Sequence, residues 1–166
     1  MATILDLVAA GRLIKLDPGL SWREQEERRI FLFSKVVTWI DGVLPYEMLI
    51  PPNELIPIEQ LDQLTYDFCV GHEFIFDRQI HPLKHISSGI WELKAPDIRL
   101  FGWFPMRDTF ICTAGDTMER VKTHRLYNGY RDEAVSLRNA LPLDEPKFVP
   151  GDNPDDVISA CYYPSP

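Results

Sequence analysis

The spacing of apolar and polar positions changes along the chain, from helical in its opening stretch to β-type in the middle and back to helical near the end. After the turn signal Asp17-Pro18-Gly19, Ser21 and Glu24 have the spacing of a capping box. Trp22, Ile30, Phe33, Val37 and Ile40 follow with three- and four-residue spacings among them, which predicts a helix over about 22–40 that ends at Asp41-Gly42. Its acidic first turn suits the helix dipole. Pro45, Pro51, Pro52 and Pro57 each remove an amide donor, so residues 42–57 read as an extended connector. Pro57 then opens a second helix through Leu61, Leu64 and Phe68, with Gly71 as its terminator.

From Glu73 the period shortens. Ile90 to Lys94, Ile98 to Phe104 and Thr109 to Thr113 are β-type runs joined by connections of hairpin length, which predicts an antiparallel meander. In the middle run Ile98, Leu100, Gly102 and Phe104 share one face, and Arg99, Phe101 and Trp103 share the other. A strand with aromatics on both faces is covered on both, or presents one as a binding surface. Asp116-Thr117-Met118-Glu119 turns the chain into a basic helical segment running to about Ala140, with Tyr127, Tyr130 and Leu137 on its inner face. Six prolines in residues 141–166 predict an extended tail that wraps the surface or moves freely. The expected fold is α+β, with N-terminal helices packed on a small antiparallel β-sheet, then a C-terminal helix and a Pro-rich tail. Residues 1–140 form one domain in this reading, with helices over residues 1–71, the meander over 72–114 and the basic segment over 116–140, and 141–166 is an acidic appendage.

With 45% hydrophobic and 25% charged residues, the 166-residue chain has the composition of a globular protein that buries its own core. No apolar run approaches the length of a membrane span. Asp6 interrupts the N-terminal apolar stretch and no basic residue precedes it, so a cytoplasmic protein without a signal peptide is expected. Cys69, Cys112 and Cys161 stand too far apart in sequence to suggest a metal or redox pair, and Cys112 reads as a buried, inert thiol.

The net charge of −8 divides unevenly, with −6 over residues 1–80, +2 over 81–140 and −4 over 141–166. That balance argues against a broad duplex-binding face, which requires neutralisation of many phosphates. Arg120, Lys122, His124, Arg125, Arg131 and Arg138 are nonetheless concentrated enough to hold a phosphate or an acidic partner. The plainer alternative is a solvated helix face bridged to Asp132 and Glu133. Glycine-rich phosphate loops, the G-x-S-x-G elbow, H-E-x-x-H and C-x-x-C are all absent from the sequence. His81 and His85 stand four apart, but Pro82 lies between them and no third ligand is evident, so no metal site and no cofactor are expected.

The stretch Leu83-Lys84-His85-Ile86-Ser87-Ser88-Gly89-Ile90-Trp91-Glu92-Leu93-Lys94, followed by Asp97-Ile98-Arg99-Leu100-Phe101-Gly102-Trp103-Phe104, resembles the RelE/HigB-like toxins of the RelE/ParE superfamily, which include phage-derived members. The resemblance covers about residues 83–140. It implies the toxin of a toxin–antitoxin pair of bacterial or phage origin, an mRNA interferase that acts without a metal, in some members at the ribosome. The implied partners are a cognate antitoxin, mRNA and the ribosome, with no membrane. In that chemistry the RNA 2′-hydroxyl attacks the neighbouring phosphate, while the protein moves protons and stabilises the phosphorane with cations.

By the same resemblance, Arg99 matches a central-strand arginine and Lys94 a strand lysine that acts as base or phosphate clamp. Arg120 or Lys122 stands for the arginine after the last strand. Tyr127 or Tyr130 stands for a C-terminal aromatic that stacks on a base or shuttles a proton, and Arg125 and Arg131 add RNA contacts. His124 is a further candidate acid, because imidazoles as a class titrate near neutrality. Plainer roles exist for each: Arg99 paired with Glu92 or Asp97 across the hairpin, Lys94 solvated, and the tyrosines in the core. The competing reading is a non-catalytic binding module of phage or mobile-element origin, which contacts a protein through Phe101, Trp103 and the Pro-rich tail. The N-terminal helices are open to three roles: an antitoxin dock, a homodimer surface or scaffold.

Overall fold

The computed structural model describes residues 1–84 and 88–165, so His85 of the His81/His85 spacing lies outside the described residues. The chain begins with helix α1 (Ile4–Ala9), strands β1 (Ile14–Lys15) and β2 (Arg29–Leu32) and helix α2 (Ser34–Gly42). A 3₁₀ turn at Leu44–Tyr46 leads to α3 (Pro57–Cys69) and the short strands β3 (Phe74–Ile75) and β4 (Ile80–Pro82). The meander is β5 (Trp91–Lys94), β6 (Ile98–Met106) and β7 (Thr109–Thr117). Helices α4 (Met118–Thr123), α5 (Tyr127–Ala140) and α6 (Pro154–Val157) and strand β8 (Cys161–Tyr162) complete a mixed α+β structure. None of its helices is long and apolar enough to cross a membrane, among the described residues.

The helix expected over 22–40 forms only in its second half. Glu24 Oε1 does accept from Ser21 N at 2.9 Å, but the box closes a turn, and Trp22 is 87% exposed. The reason is tertiary. Arg29–Leu32 adds a strand beside β7, burying Ile30 on one face and Phe31 on the other, and a short apolar run fits a strand as readily as a helix. The second expected helix is α3, opened by Pro57 and closed near Gly71, whose φ of +89° suits a glycine.

The main sheet has the order β1-β2-β7-β6-β5-β4 and is antiparallel except for the β2–β7 pair. The two faces of β6 separate as the alternation predicts. Ile98, Leu100 and Phe104 join the core under α2 and α3, and Phe101 and Trp103 join the core under α1, α4 and α5. Phe101 and Trp103 are fully buried, so the binding surface proposed for the non-catalytic reading does not exist. At Gly102, beside a bulge in the ladder, a Cβ would stand 1.9 Å from Ile111 O, so only glycine lets the two strands close there.

The basic segment is two helices, not one. Thr117 Oγ1 caps α4 by accepting from Arg120 N at 3.3 Å, and Arg125 at φ +53° breaks the path before α5. The Pro-rich tail is neither free nor merely wrapped. Leu141, Leu143, Val157 and Ile158 are buried, Val149 N donates to Phe104 O, and β8 pairs with β3. Lys147 Nζ donates to the carbonyls of Arg138, Asn139 and Leu141, where a cation meets the negative end of α5.

Arg28, 1% exposed, ties these segments together. Nη1 donates to Phe68 O at 3.0 Å, and Nη2 donates to His72 O at 2.9 Å and Ser159 O at 2.5 Å. Its guanidinium carbon lies 5.2 and 5.3 Å from the ring centres of Phe68 and Phe74, and its Nε is 3.7 Å from Asp108 Oδ1. Burial pushes its pKa down, and the Asp108 charge pulls it back up. Arg28→Met keeps most of the volume and leaves three carbonyls without their donor. The expected loss is about 3 kcal/mol of unfolding free energy, read by chemical denaturation, and a loss below about 1 kcal/mol would show that the knot is dispensable.

Candidate functional site

The β5–β6 hairpin is anchored to α3 through one carboxylate. Asp97 Oδ2 accepts from Gln60 Nε2 at 2.6 Å and Asn53 Nδ2 at 2.9 Å, and Asp97 N donates to Gln60 Oε1 at 2.8 Å. This fixes the end of the sheet where Lys94 stands opposite Arg99, and Arg99 opposite Asp116. The structure therefore brings together two of the residues singled out by sequence, Lys94 and Arg99.

Arg99 pairs with neither Glu92 nor Asp97. It is 6% exposed, and Nη1 donates to Ala95 O at 2.5 Å and Ile98 O at 2.8 Å. Its Nε is buried without a hydrogen-bond partner among the described residues, and both hydrogen bonds of the side chain there are made by Nη1. Lys94 Nζ donates to Asp77 O at 2.7 Å and lies 3.9 Å from Glu92 Oε1. Both side chains line a cleft of about 800 Å³ between α3, the turns around β3 and the hairpin.

Next to Lys94 is a group that sequence reasoning passed over. Glu92 is 4% exposed, and its Oε2 has no hydrogen-bond partner among the described residues. Burial raises its pKa above the usual carboxylate range, while the charges of Lys94, Arg99 and Lys122 pull it back. His81, its neighbour across the β4–β5 ladder, has Nδ1 3.9 Å from Glu92 Oε1 and Nε2 3.4 Å from Asp77 Oδ1. Burial lowers the imidazole pKa against the pull of Asp77, a shift toward the neutral, proton-accepting ring. A glutamate between apolar neighbours on a central strand was the one available signal, since an unpaired carboxylate is costly there.

The remaining predicted residues divide. Arg120 is held by Asp116, with Nε 3.2 Å from Oδ1, and Asp116 Oδ2 also accepts from Tyr130 OH at 2.5 Å. Burial, then that bond, raises the Tyr130 pKa. Tyr130 stacks on Phe101 at 4.8 Å and Tyr127 meets it edge-on at 5.9 Å, which gives both the core role. Lys122, His124 and Arg125 are exposed on and after α4, and Lys122 is near enough to act on Glu92.

Arg131 pairs with Asp132 at 2.8 Å and lines a separate hollow on α5. Arg138 is buried, donating to Ser88 O with its guanidinium carbon 3.8 Å from the Phe148 ring centre, and Glu133 pairs with Lys35. The predicted basic cluster is thus no continuous phosphate-binding face. Cys69 and Cys112 are buried thiols pushed up to about 12, and Cys161 to about 11, so none is a nucleophile.

Comparison of the chain with protein-family models, curated proteins and solved structures returned no match.

A raised carboxyl pKa means that the folded protein binds more protons than the unfolded chain between the ordinary carboxylate range and the raised value. Stability therefore falls as pH rises through that window. Glu92→Gln, which mimics the protonated acid, is expected to raise the denaturation midpoint at pH 7 and to match the wild type near pH 3. Equal midpoints at both pH values would show that the buried charge carries no cost.

Proposed function

We propose that this protein is a metal-independent RNA endonuclease, the toxin of a toxin–antitoxin pair, working at the β5–β6 hairpin. The observation that carries the reading is the pairing of Lys94 with Arg99 at one end of the sheet, with His81 paired to the buried Glu92 on the neighbouring rung of the ladder. Two cations meet the need of a phosphorane, and an imidazole that is neutral at working pH can take a proton.

In this mechanism the 2′-oxygen of the RNA attacks the adjacent phosphorus and its proton passes to His81. The phosphorus–O5′ bond breaks, the 5′-oxygen takes a proton from the Lys94 ammonium, and a 2′,3′-cyclic phosphate remains on the upstream fragment. Arg99 Nη2 holds a non-bridging oxygen through the transition state. Glu92 and Asp77 are positioning residues that flank the two nitrogens of His81. Lys122 and His124, both exposed at the end of α4, are assigned to the flanking phosphates. An antitoxin and the ribosome belong to the same reading, supported by the resemblance alone.

Induced expression in a bacterial host tests it, with growth and new RNA 5′ ends followed by primer extension. Wild type is expected to arrest growth and generate new ends. Lys94→Ala and His81→Ala should each lower cleavage by roughly 10²-fold or more while remaining folded by circular dichroism. Arg99→Lys, which keeps the charge but not the fork, should fall between them and the wild type. Normal growth with intact RNA from folded wild type overturns the reading.

A further inference from the structure

We infer that the loop between α2 and α3, residues 43–56, is a docking surface for another protein, and that the segment it takes is amphipathic and basic, with apolar side chains interleaved with Lys or Arg. The inference does not depend on the endonuclease reading. Val43, Tyr46, Met48, Leu49, Ile50 and Leu55 all face water, Tyr46 and Met48 at 80% exposure. Single exposed apolar residues are ordinary on a surface, but six large ones in so short a stretch mark an interaction site. The loop is anchored at both ends. Leu44 is fully buried in the core shared by α2 and α3, Tyr46 N and Glu47 N donate to the carbonyls of Val43 and Leu44, and Asn53 Nδ2 donates to Asp97. Pro45, Pro51 and Pro52 keep it out of α-helix and sheet. Side chains carried on a fixed loop lose little freedom when a partner covers them.

Charge decides what covers it. Residues 36–77, which span the loop and nearly all of the two helices beside it, hold eight Asp or Glu and no Lys or Arg. Lys35, just before them, is already paired with Glu133. Asp41 and Glu54 stand exposed at the two ends of the apolar run, and Glu47 is half-buried within it. On α3, burial and then the charge of Glu59 push the Asp62 carboxyl up, as happens where carboxylates gather without a cation. A second copy docked symmetrically through this loop would set Asp41, Glu47 and Glu54 against their own counterparts. An anionic lipid surface would meet the same repulsion. A basic amphipathic segment satisfies both halves of the surface: its apolar side chains cover Tyr46 and Met48, and its cations meet the acidic rim.

The experiment titrates the full chain, by calorimetry, with a short amphipathic helical peptide of Leu and Lys and with its counterpart carrying Glu in place of every Lys. Flotation with phosphatidylcholine vesicles and sedimentation of the chain alone test the other occupants. The lysine peptide is expected to bind roughly tenfold or more tightly than the glutamate peptide. Tyr46→Ser with Met48→Ser should weaken it roughly tenfold, since aromatic anchors dominate such contacts. Asp41→Lys with Glu54→Lys should weaken it by a similar factor and flatten its dependence on salt. The same charge change in the tail, Asp144→Lys with Asp152→Lys, should leave the affinity at the wild-type value. All six positions are exposed, so each variant should keep the wild-type circular dichroism and melting curve. No binding of the lysine peptide, equal affinity for the two peptides, wild-type affinity after the loop substitutions, or an equal loss from the tail variant would each overturn the surface. So would a dimer, or vesicle binding, that Tyr46→Ser with Met48→Ser abolishes, since either gives the loop to a second copy or to lipid.

Discussion

An arginine buried this deeply requires carbonyl oxygens from several segments of the chain to converge on it, and Arg28 imposes that convergence here. Its donors reach the end of α3, the turn at His72 and the tail at Ser159, with Asp108 of the β6–β7 turn beside them. Asp108 in turn accepts from Ser159 N at 2.6 Å and Ser159 Oγ at 2.7 Å, and its carbonyl accepts from Arg29 N. Four segments remote in sequence are held by charge-assisted bonds, with the guanidinium itself buried and the Asp108–Ser159 bonds at the surface. The parallel β2–β7 pair starts immediately after this knot, so β2 could not slip register without unsatisfying it.

The knot also bears on chemistry. By fixing the end of α3 and the turn at residue 72, it sets one wall of the cleft, and the Asp97 anchor to Gln60 and Asn53 sets the other. Lys94 and Arg99 are thus carried by a hairpin whose frame is hydrogen-bonded on both sides. Glu92 fits the same logic. A buried carboxylate with an unpartnered oxygen lowers stability, and such a cost is characteristic of groups retained for function.

Total charge and local charge tell different stories. The chain is acidic, yet its cations are placed where they define sites: Arg28 in the knot, Arg138 under Phe148, Lys147 on the end of α5, and Lys94 and Arg99 at the cleft. Counting Arg138 with the surface cluster was natural from sequence, because nothing in the linear pattern says that Phe148 and Ser88 will close over it.

Periodicity was a reliable guide where the local pattern and the tertiary environment agreed. The meander, the two-faced alternation of β6 and the Pro57 start of α3 were legible for that reason, and the hairpin register sets Lys94 opposite Arg99. It failed at 22–32, where Ser21 and Glu24 made their local bond but the vacant edge of β7 recruited Arg29–Leu32 as a strand. It failed also for the tail, whose prolines forbid regular structure without forbidding burial. His81 and Glu92 were invisible as a pair because their meeting depends on β4 joining β5, a contact between short strands that no local signal specifies. Sequence alone determined which residues could form elements and which faces were apolar. Tertiary structure decided which of those elements paired and which polar groups lost their water, because both depend on contacts between segments far apart in the chain.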